Sequence, residues 1–129
     1  MANKTVMVVD DSPTVVKFVS FAIRSTGMKV VTACDGMDAL EKLSALPEGV
    51  DLIITDLNMP NLDGYEFIRT VRQNQAYGNV PIIILSSEEE EKDKQLGIDA
   101  GASSYLVKPF KPDVLLGEIS KYIEIKQPI

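Results

Sequence analysis

Apolar and polar positions divide the chain into ten short segments of two alternating kinds. Thr5-Val6-Met7-Val8-Val9 is an apolar run rich in β-branched residues and predicts a first strand. It stops at Asp10-Asp11, and Ser12-Pro13 follows. Proline is favoured in the first turn of a helix, where its missing N–H costs nothing. Val15, Val19, Ala22 and Ile23 then recur at helical spacing, and Gly27 is expected to end that helix. Lys29 to Ala33 predicts a second strand, Asp35-Gly36 a turn, and Ala39, Leu40 and Leu43 the apolar stripe of a second helix that stops before Pro47. The third strand is Leu52 to Thr55, a short apolar run bounded by turn residues and so a buried strand. Gly64 opens a third helix whose Phe67, Ile68 and Val71 face inward.

Val80-Pro81-Ile82-Ile83-Ile84-Leu85 predicts strand four, with proline at its start where no ladder bond need be lost, and Ser86-Ser87 at its end. Glu88 to Glu91 places four acids at the start of a fourth helix, where the helix dipole favours them. That helix has almost no apolar stripe before Leu96, so it is expected to be marginal and mobile. Ser104 to Val107 is strand five, Lys108-Pro109-Phe110 a loop, and Pro112 starts a fifth helix lined by Leu115, Ile119, Tyr122 and Ile123. Residues 124–129 read as a short tail.

Strands alternating with helices predict an α/β fold. The strands are almost continuously apolar, as in a parallel sheet covered on both faces. With 129 residues the chain is long enough for one domain with a real core and too short for two, so residues 1–129 are expected to form a single unit with its core at about 5–123. No apolar run approaches the ~18–20 residues that span a bilayer, and the amino terminus lacks a signal-peptide pattern. A cytoplasmic protein is therefore expected, with no membrane role. The absence of histidine excludes a Ser-His-Asp triad and a His-ligated zinc site. A net charge of −6 argues against general nucleic-acid binding. The single Cys34 lies in an apolar stretch and is expected to be a buried, inert thiol.

What matters chemically is what ends each strand. Strand one delivers Asp10 and Asp11, strand three Asp56, strand four Ser86 and strand five Lys108. Any one of these has a bland explanation: Asp11, Ser12 or Ser86 as a helix cap, Asp56 as a turn former, Lys108 as a solvated charge. All of them lie on one edge of one sheet, the edge where open α/β sheets bind ligands. Three carboxylates in one crevice repel each other, and a divalent cation removes that conflict. Oxygen ligands without sulfur or imidazole suit Mg²⁺ or Mn²⁺. A carboxylate beside a metal, a lysine and a hydroxyl is a site for phosphoryl transfer, with aspartate as nucleophile.

The chain resembles the receiver domains of two-component response regulators, and within them the single-domain chemotaxis regulators of the CheY type. The resemblance rests on Val8-Val9-Asp10-Asp11-Ser12, on the segment from Asp51 to Gly64 around Asp56, on the run ending at Ser86-Ser87, and on Asp99 to Phe110; it covers about residues 5–123. It implies a doubly wound, flavodoxin-like sheet in the order 2-1-3-4-5. It also implies that Asp56 is phosphorylated, that Asp11, Asp56 and the backbone carbonyl of Asn58 ligate Mg²⁺, and that Asp10 assists through water. Lys108 would bond the phosphoryl group. Ser86 would reach toward it after phosphorylation, and Tyr105 would swing inward. Ser86 stands where many members have threonine, which keeps the hydroxyl. Asn58 and Glu88 are the positions expected to tune self-dephosphorylation, Glu88 against its simpler reading as a helix-start acid. The implied partners are a sensor histidine kinase or phosphotransfer protein upstream, and a downstream protein met by the face of helix four, strand five and helix five. A monomer that catalyses only its own phosphorylation and dephosphorylation is expected, with a receiver fragment of a larger regulator as the alternative.

Two other readings fit less well. An aspartate-nucleophile phosphatase of the haloacid dehalogenase type carries its nucleophile after strand one in a DxDx[TV] pattern, whereas DDSP stands here; a phosphomonoester assay separates the two. A flavodoxin-like FMN site needs a hydroxyl- and glycine-rich loop after strand one, where two acids would repel the phosphate; absence of yellow colour dismisses it.

Overall fold

The computed structural model describes residues 4–46, 49–57, 62–87, 91–108 and 110–123, without the side chains of residues 86 and 91–94. In chain order the elements are β1 (Thr5–Val9), α1 (Pro13–Arg24), β2 (Lys29–Ala33), α2 (Gly36–Ala45), β3 (Leu52–Thr55), α3 (Gly64–Gln73), β4 (Ile82–Ser86), α4 (Glu91–Ala100), β5 (Ser104–Val107) and α5 (Pro112–Ile119). The strands form one parallel sheet in the order β2-β1-β3-β4-β5. The expected doubly wound α/β fold is therefore the observed one, with β1 beside β3 at the point where the winding reverses.

Period-two alternation explains why the central strands are apolar at every position. Val6, Val8, Leu52, Ile54, Ile83 and Leu85 face a core closed by Val19, Ala22 and Ile23 of α1 and by Leu115 and Ile119 of α5. Met7, Val9, Ile53, Ile82 and Ile84 face the opposite core, closed by Ala39 and Leu43 of α2, by Phe67, Ile68 and Val71 of α3, and by Ala100 of α4. With both faces covered, polar groups can leave β1 and β3 only at their ends.

Several local features depart from the sequence reading, each for a physical reason. α1 ends at Arg24, and Gly27 (φ 87°) closes the following turn rather than the helix itself. β4 begins at Ile82: Pro81 has no N–H, and the Val80 N–H is spent on the Tyr77 carbonyl at 3.3 Å. The four acids expected to open the fourth helix fall mostly outside the described residues; described α4 starts at Glu91. Among the described side chains of α4, Leu96 and Ile98 are exposed, and Gly97 and Ala100 are buried. A Cβ on Gly97 would collide with Ile84 Cδ1, so the helix backbone itself lies against β4. Cys34 is exposed, not buried: β2 has ended at Ala33, and Cys34 sits on the open edge with its N–H donated to Asp38 Oδ2 at 3.0 Å.

Arg72, near the end of α3, ties three segments together. Its Nε donates to the Gly101 carbonyl at 2.8 Å, and its Nη1 to the carbonyls of Gly78 at 2.9 Å and Val80 at 2.5 Å. Those carbonyls end α4 and lead into β4, where no ladder partner reaches them. Burial holds the guanidinium pKa below its ordinary value, and the charge-assisted bonds offset that cost. Replacing Arg72 by methionine keeps the aliphatic stem and leaves three acceptors unmet. Urea unfolding should show a loss of about 2–4 kcal/mol. The exposed neighbour Arg69, whose ion-pair partner among the described residues is Glu66 at 2.7 Å, should cost under ~1 kcal/mol on the same change.

Candidate functional site

The carboxyl ends of β1, β3 and β5 bring four charged side chains to one crevice. Asp10 follows β1 and is 3% exposed; Asp56 follows β3 and is 8% exposed; Asp11 is open to solvent. One carboxylate oxygen from each of the three lies within 4.8 Å of the others. Lys108, just past β5, places its Nζ 3.1 Å from Asp10 Oδ2 and 3.8 Å from Asp56 Oδ1. The sheet fixes this meeting. The Asp56 N–H donates to the Val9 carbonyl at 2.9 Å, and the Asp10 N–H to the Ala33 carbonyl at 3.1 Å, so both acids leave the ladder at the same level.

Backbone donors hold the two inner carboxylates. Asp10 Oδ1 accepts from the Ser12 N–H at 2.9 Å, and Asp56 Oδ1 accepts from the Leu57 N–H at 2.8 Å. Ser12 is also the N-cap of α1, its Oγ accepting from the Val15 N–H at 3.4 Å. Gly64 opens α3 against the chain beside Asp56. Its N–H donates to the Leu57 carbonyl at 2.9 Å, and a Cβ there would strike the Asp56 carbonyl and come within 2.7 Å of Leu57 Cα. Only a residue without a side chain lets α3 approach so closely. These backbone contributions were not foreseen, because a main-chain N–H has no signature in sequence. The Asp63-Gly64 pair was the one visible trace.

The charges do not balance, since three carboxylates face one ammonium. Burial raises the Asp56 pKa above its ordinary value, and the neighbouring Asp10 carboxylate adds to this. Lys108 and the Leu57 N–H oppose the rise, and Asp11 reinforces it. The donors are hard oxygens, close enough for one divalent cation of the Mg²⁺ type to draw on two carboxylates directly and a third through water. Asp56 therefore combines a strained negative charge, a buried position and an adjacent cationic side chain.

Of the other expected site residues, Ser86 ends β4 paired with Val107, the residue before Lys108, which puts its backbone at the crevice rim. Tyr105 is half-buried on β5 and packs against the α2–α3–α4 core. Asn58 and Glu88 lie outside the described residues.

A group whose folded-state pKa is raised destabilises the fold once it is ionised. Without divalent cations, Asp56→Asn should therefore be more stable than the parent at neutral pH, by something on the order of 1 kcal/mol. The difference should shrink as pH falls toward the ordinary carboxylate value and vanish below it, where the folded and unfolded chains are both protonated. Urea midpoints in EDTA between about pH 3 and 8 measure it.

Comparison with known proteins agrees with this geometry. The family model described as the response regulator receiver domain matches residues 6–120. Protein PilG of Pseudomonas aeruginosa is 37% identical over 124 residues, covering 96% of this chain and 90% of PilG. The chemotaxis protein CheY4 of Vibrio cholerae superposes with a TM-score of 0.88 at 38% identity, covering 95% of this chain and all of that structure. The receiver domain of the sensor histidine kinase PA1611 of P. aeruginosa, solved with a magnesium ion coordinated in its active-site cleft, has a TM-score of 0.85 at 30% identity, covering 94% of this chain and 98% of that one. With a family model spanning nearly the whole fold and three carboxylates converging on a lysine, the chain belongs to the response regulator receiver domains: it is a phosphorylation switch, a signalling phosphoacceptor rather than an enzyme acting on other substrates.

Proposed function

We propose that Asp56 accepts a phosphoryl group from a histidine kinase or phosphotransfer protein, or from a small acyl phosphate. The observation that carries this is the Asp56 carboxylate at the end of β3, desolvated, beside Asp10 and 3.8 Å from Lys108. A carboxylate oxygen of Asp56 forms the new P–O bond. The P–N bond of the donor phosphohistidine breaks, and the leaving imidazole keeps the electron pair and takes a proton. Asp11 and Asp56, with the Asn58 carbonyl and with Asp10 through water, would hold Mg²⁺ or Mn²⁺, which when bound supplies positive charge for the phosphoryl oxygens. Lys108 turns from Asp10 toward the new group and neutralises part of its charge. Water attack on phosphorus reverses the modification. Asn58 and Glu88, each two residues beyond a strand-end site residue, govern that water; Asn58 is too small to shield the phosphorus and its amide can orient a water.

Ser86 and Tyr105 relay the change. The Ser86 hydroxyl follows the phosphoryl group, Tyr105 turns inward, and the surface of α4, β5 and α5 is re-presented to a downstream protein. The chain acts as a monomer in the cytoplasm, residues 1–129 forming one receiver unit. Among the described residues no helix is long and apolar enough to cross a membrane.

Incubation with acetyl phosphate and Mg²⁺ should add one phosphate, mapped to Asp56 by intact-mass and peptide analysis. Asp56→Asn should remain unmodified; full modification of that variant at another residue would disprove the assignment. After removal of the donor the phosphate should decay in seconds to minutes, and Asn58→Arg should lengthen its lifetime several-fold, a tenfold change being about 1.4 kcal/mol of barrier.

A further inference from the structure

β2 is an edge strand, and its outer edge is guarded over only part of its length. The phase of the ladder is set at both ends. The Lys29 N–H donates to the Lys4 carbonyl at 2.9 Å, and the Ala33 carbonyl accepts from the Asp10 N–H at 3.1 Å. Between them the register pairs Val30 with Val6, Val31 with Met7 and Thr32 with Val8. In a parallel ladder alternate residues turn their backbone groups to opposite sides. Lys29, Val31 and Ala33 therefore bond to β1, and Val30 and Thr32 point their N–H and C=O groups outward.

The upper part of this edge is closed by an ion pair of α2. Lys42 Nζ donates to the Thr32 carbonyl at 2.6 Å and sits 3.2 Å from Asp38 Oδ2, which also accepts from the Cys34 N–H at 3.0 Å. Covering an edge with a lysine is a common way to block strand pairing. At Val30 no such cover exists among the described residues. A cavity lies there instead. It is an open groove of about 760 Å³ at the amino-terminal edge of the sheet, away from the acidic crevice. Met28, Val30, Val31 and Leu46 give it an apolar floor, and Arg24 and Lys29 are its charged lining residues. Among the described residues neither cation has an ion-pair partner within 4.0 Å, and no acid lines the groove. On a chain of net charge −6 the described lining makes a local cationic, apolar strip beside open backbone donors and acceptors.

We propose that this groove takes an extended acidic segment of a partner protein, which adds to the sheet alongside β2. The Val30 N–H and C=O and the Thr32 N–H supply the main-chain bonds. Alternate side chains of the incoming strand pack on Val30 and Leu46, and its carboxylates meet Arg24 and Lys29. An acidic strand is favoured over a basic one by those two cations, and over a second copy of this chain because β2 would bring its own Lys29 to the strip. Such a contact leaves both the crevice and the α4–β5–α5 surface free, so it can hold the domain at a site of action while the switch operates. It does not depend on the phosphorylation reading.

The test uses a short blocked peptide of alternating valine and glutamate, titrated to millimolar concentration against the full chain and followed by backbone-amide NMR. The amide signals of Val30 and Thr32 should shift and become protected from exchange. The corresponding valine–lysine peptide should bind at least about tenfold more weakly. Val30→Pro removes the outward N–H without touching the ladder to β1 and should abolish binding. Arg24→Glu with Lys29→Glu should invert the preference between the two peptides, which guards against a folding defect in the proline variant. Lys42→Met frees the Thr32 carbonyl and should tighten binding. Asp56→Asn should bind as the parent does, which separates this proposal from the switch. Shifts confined to other surfaces, equal binding of the two peptides, or a self-dimer that buries β2 would each overturn it.

Discussion

Lys108 is one ammonium among three carboxylates, and much of the molecule is arranged so that this imbalance persists. Asp10 and Asp56 are carried into the interior by two buried central strands, each leaving the ladder at the same height. Lys108 reaches both from β5, and two backbone N–H groups steady the carboxylates without cancelling their charge. A fold selected for stability alone would replace such a cluster with apolar groups, since a buried and incompletely paired charge costs several kcal/mol. Here the deficit of positive charge is the useful property: it favours a bound cation, which in turn favours the ionised form of Asp56.

The same economy of contact appears at α4. Among its described residues α4 meets the rest of the core through Gly97 and Ala100 rather than through large apolar side chains. Gly97 lies against Ile84, and Gly101, at φ 122°, packs on the Arg72 side chain. Tyr105 is near enough that a Cβ on Gly97 would lie 4.0 Å from its ring. A helix anchored at its carboxyl end by Arg72, with Leu96 and Ile98 each nearly half exposed, has less burial to lose on shifting than one packed through large apolar side chains. Ile84 and Tyr105 thus link the strand that ends at Ser86 to the helix next to it.

Much of this was readable from the chain because burial imposes strict patterns. Val6 to Val9 and Leu52 to Thr55 can only be strands covered on both faces, and an acid at the end of such a run must lie on the ligand edge. That logic placed Asp10, Asp11, Asp56 and Lys108 correctly. It failed where backbone, not side chain, decides the contact. In α4 the pattern of apolar side chains shows little that could hold the helix; Gly97 is the residue that touches the sheet, and a glycine looks like a helix defect until its neighbour is known. Cys34 was judged by its apolar surroundings in sequence, while the strand ends one residue before it. Arg72 looks like a surface charge on an amphipathic helix; only the loops folding around it reveal three carbonyls awaiting donors.

The account rests on the crevice being a charge cluster completed by a hard cation. Thermal unfolding in EDTA and in increasing Mg²⁺ tests that most directly. The parent chain should gain about 2.7 kcal/mol once free Mg²⁺ reaches a hundred times its dissociation constant, with Asp11→Asn losing most of the gain. Identical midpoints with and without saturating Mg²⁺, or an undiminished gain in Asp11→Asn, would contradict the central claim.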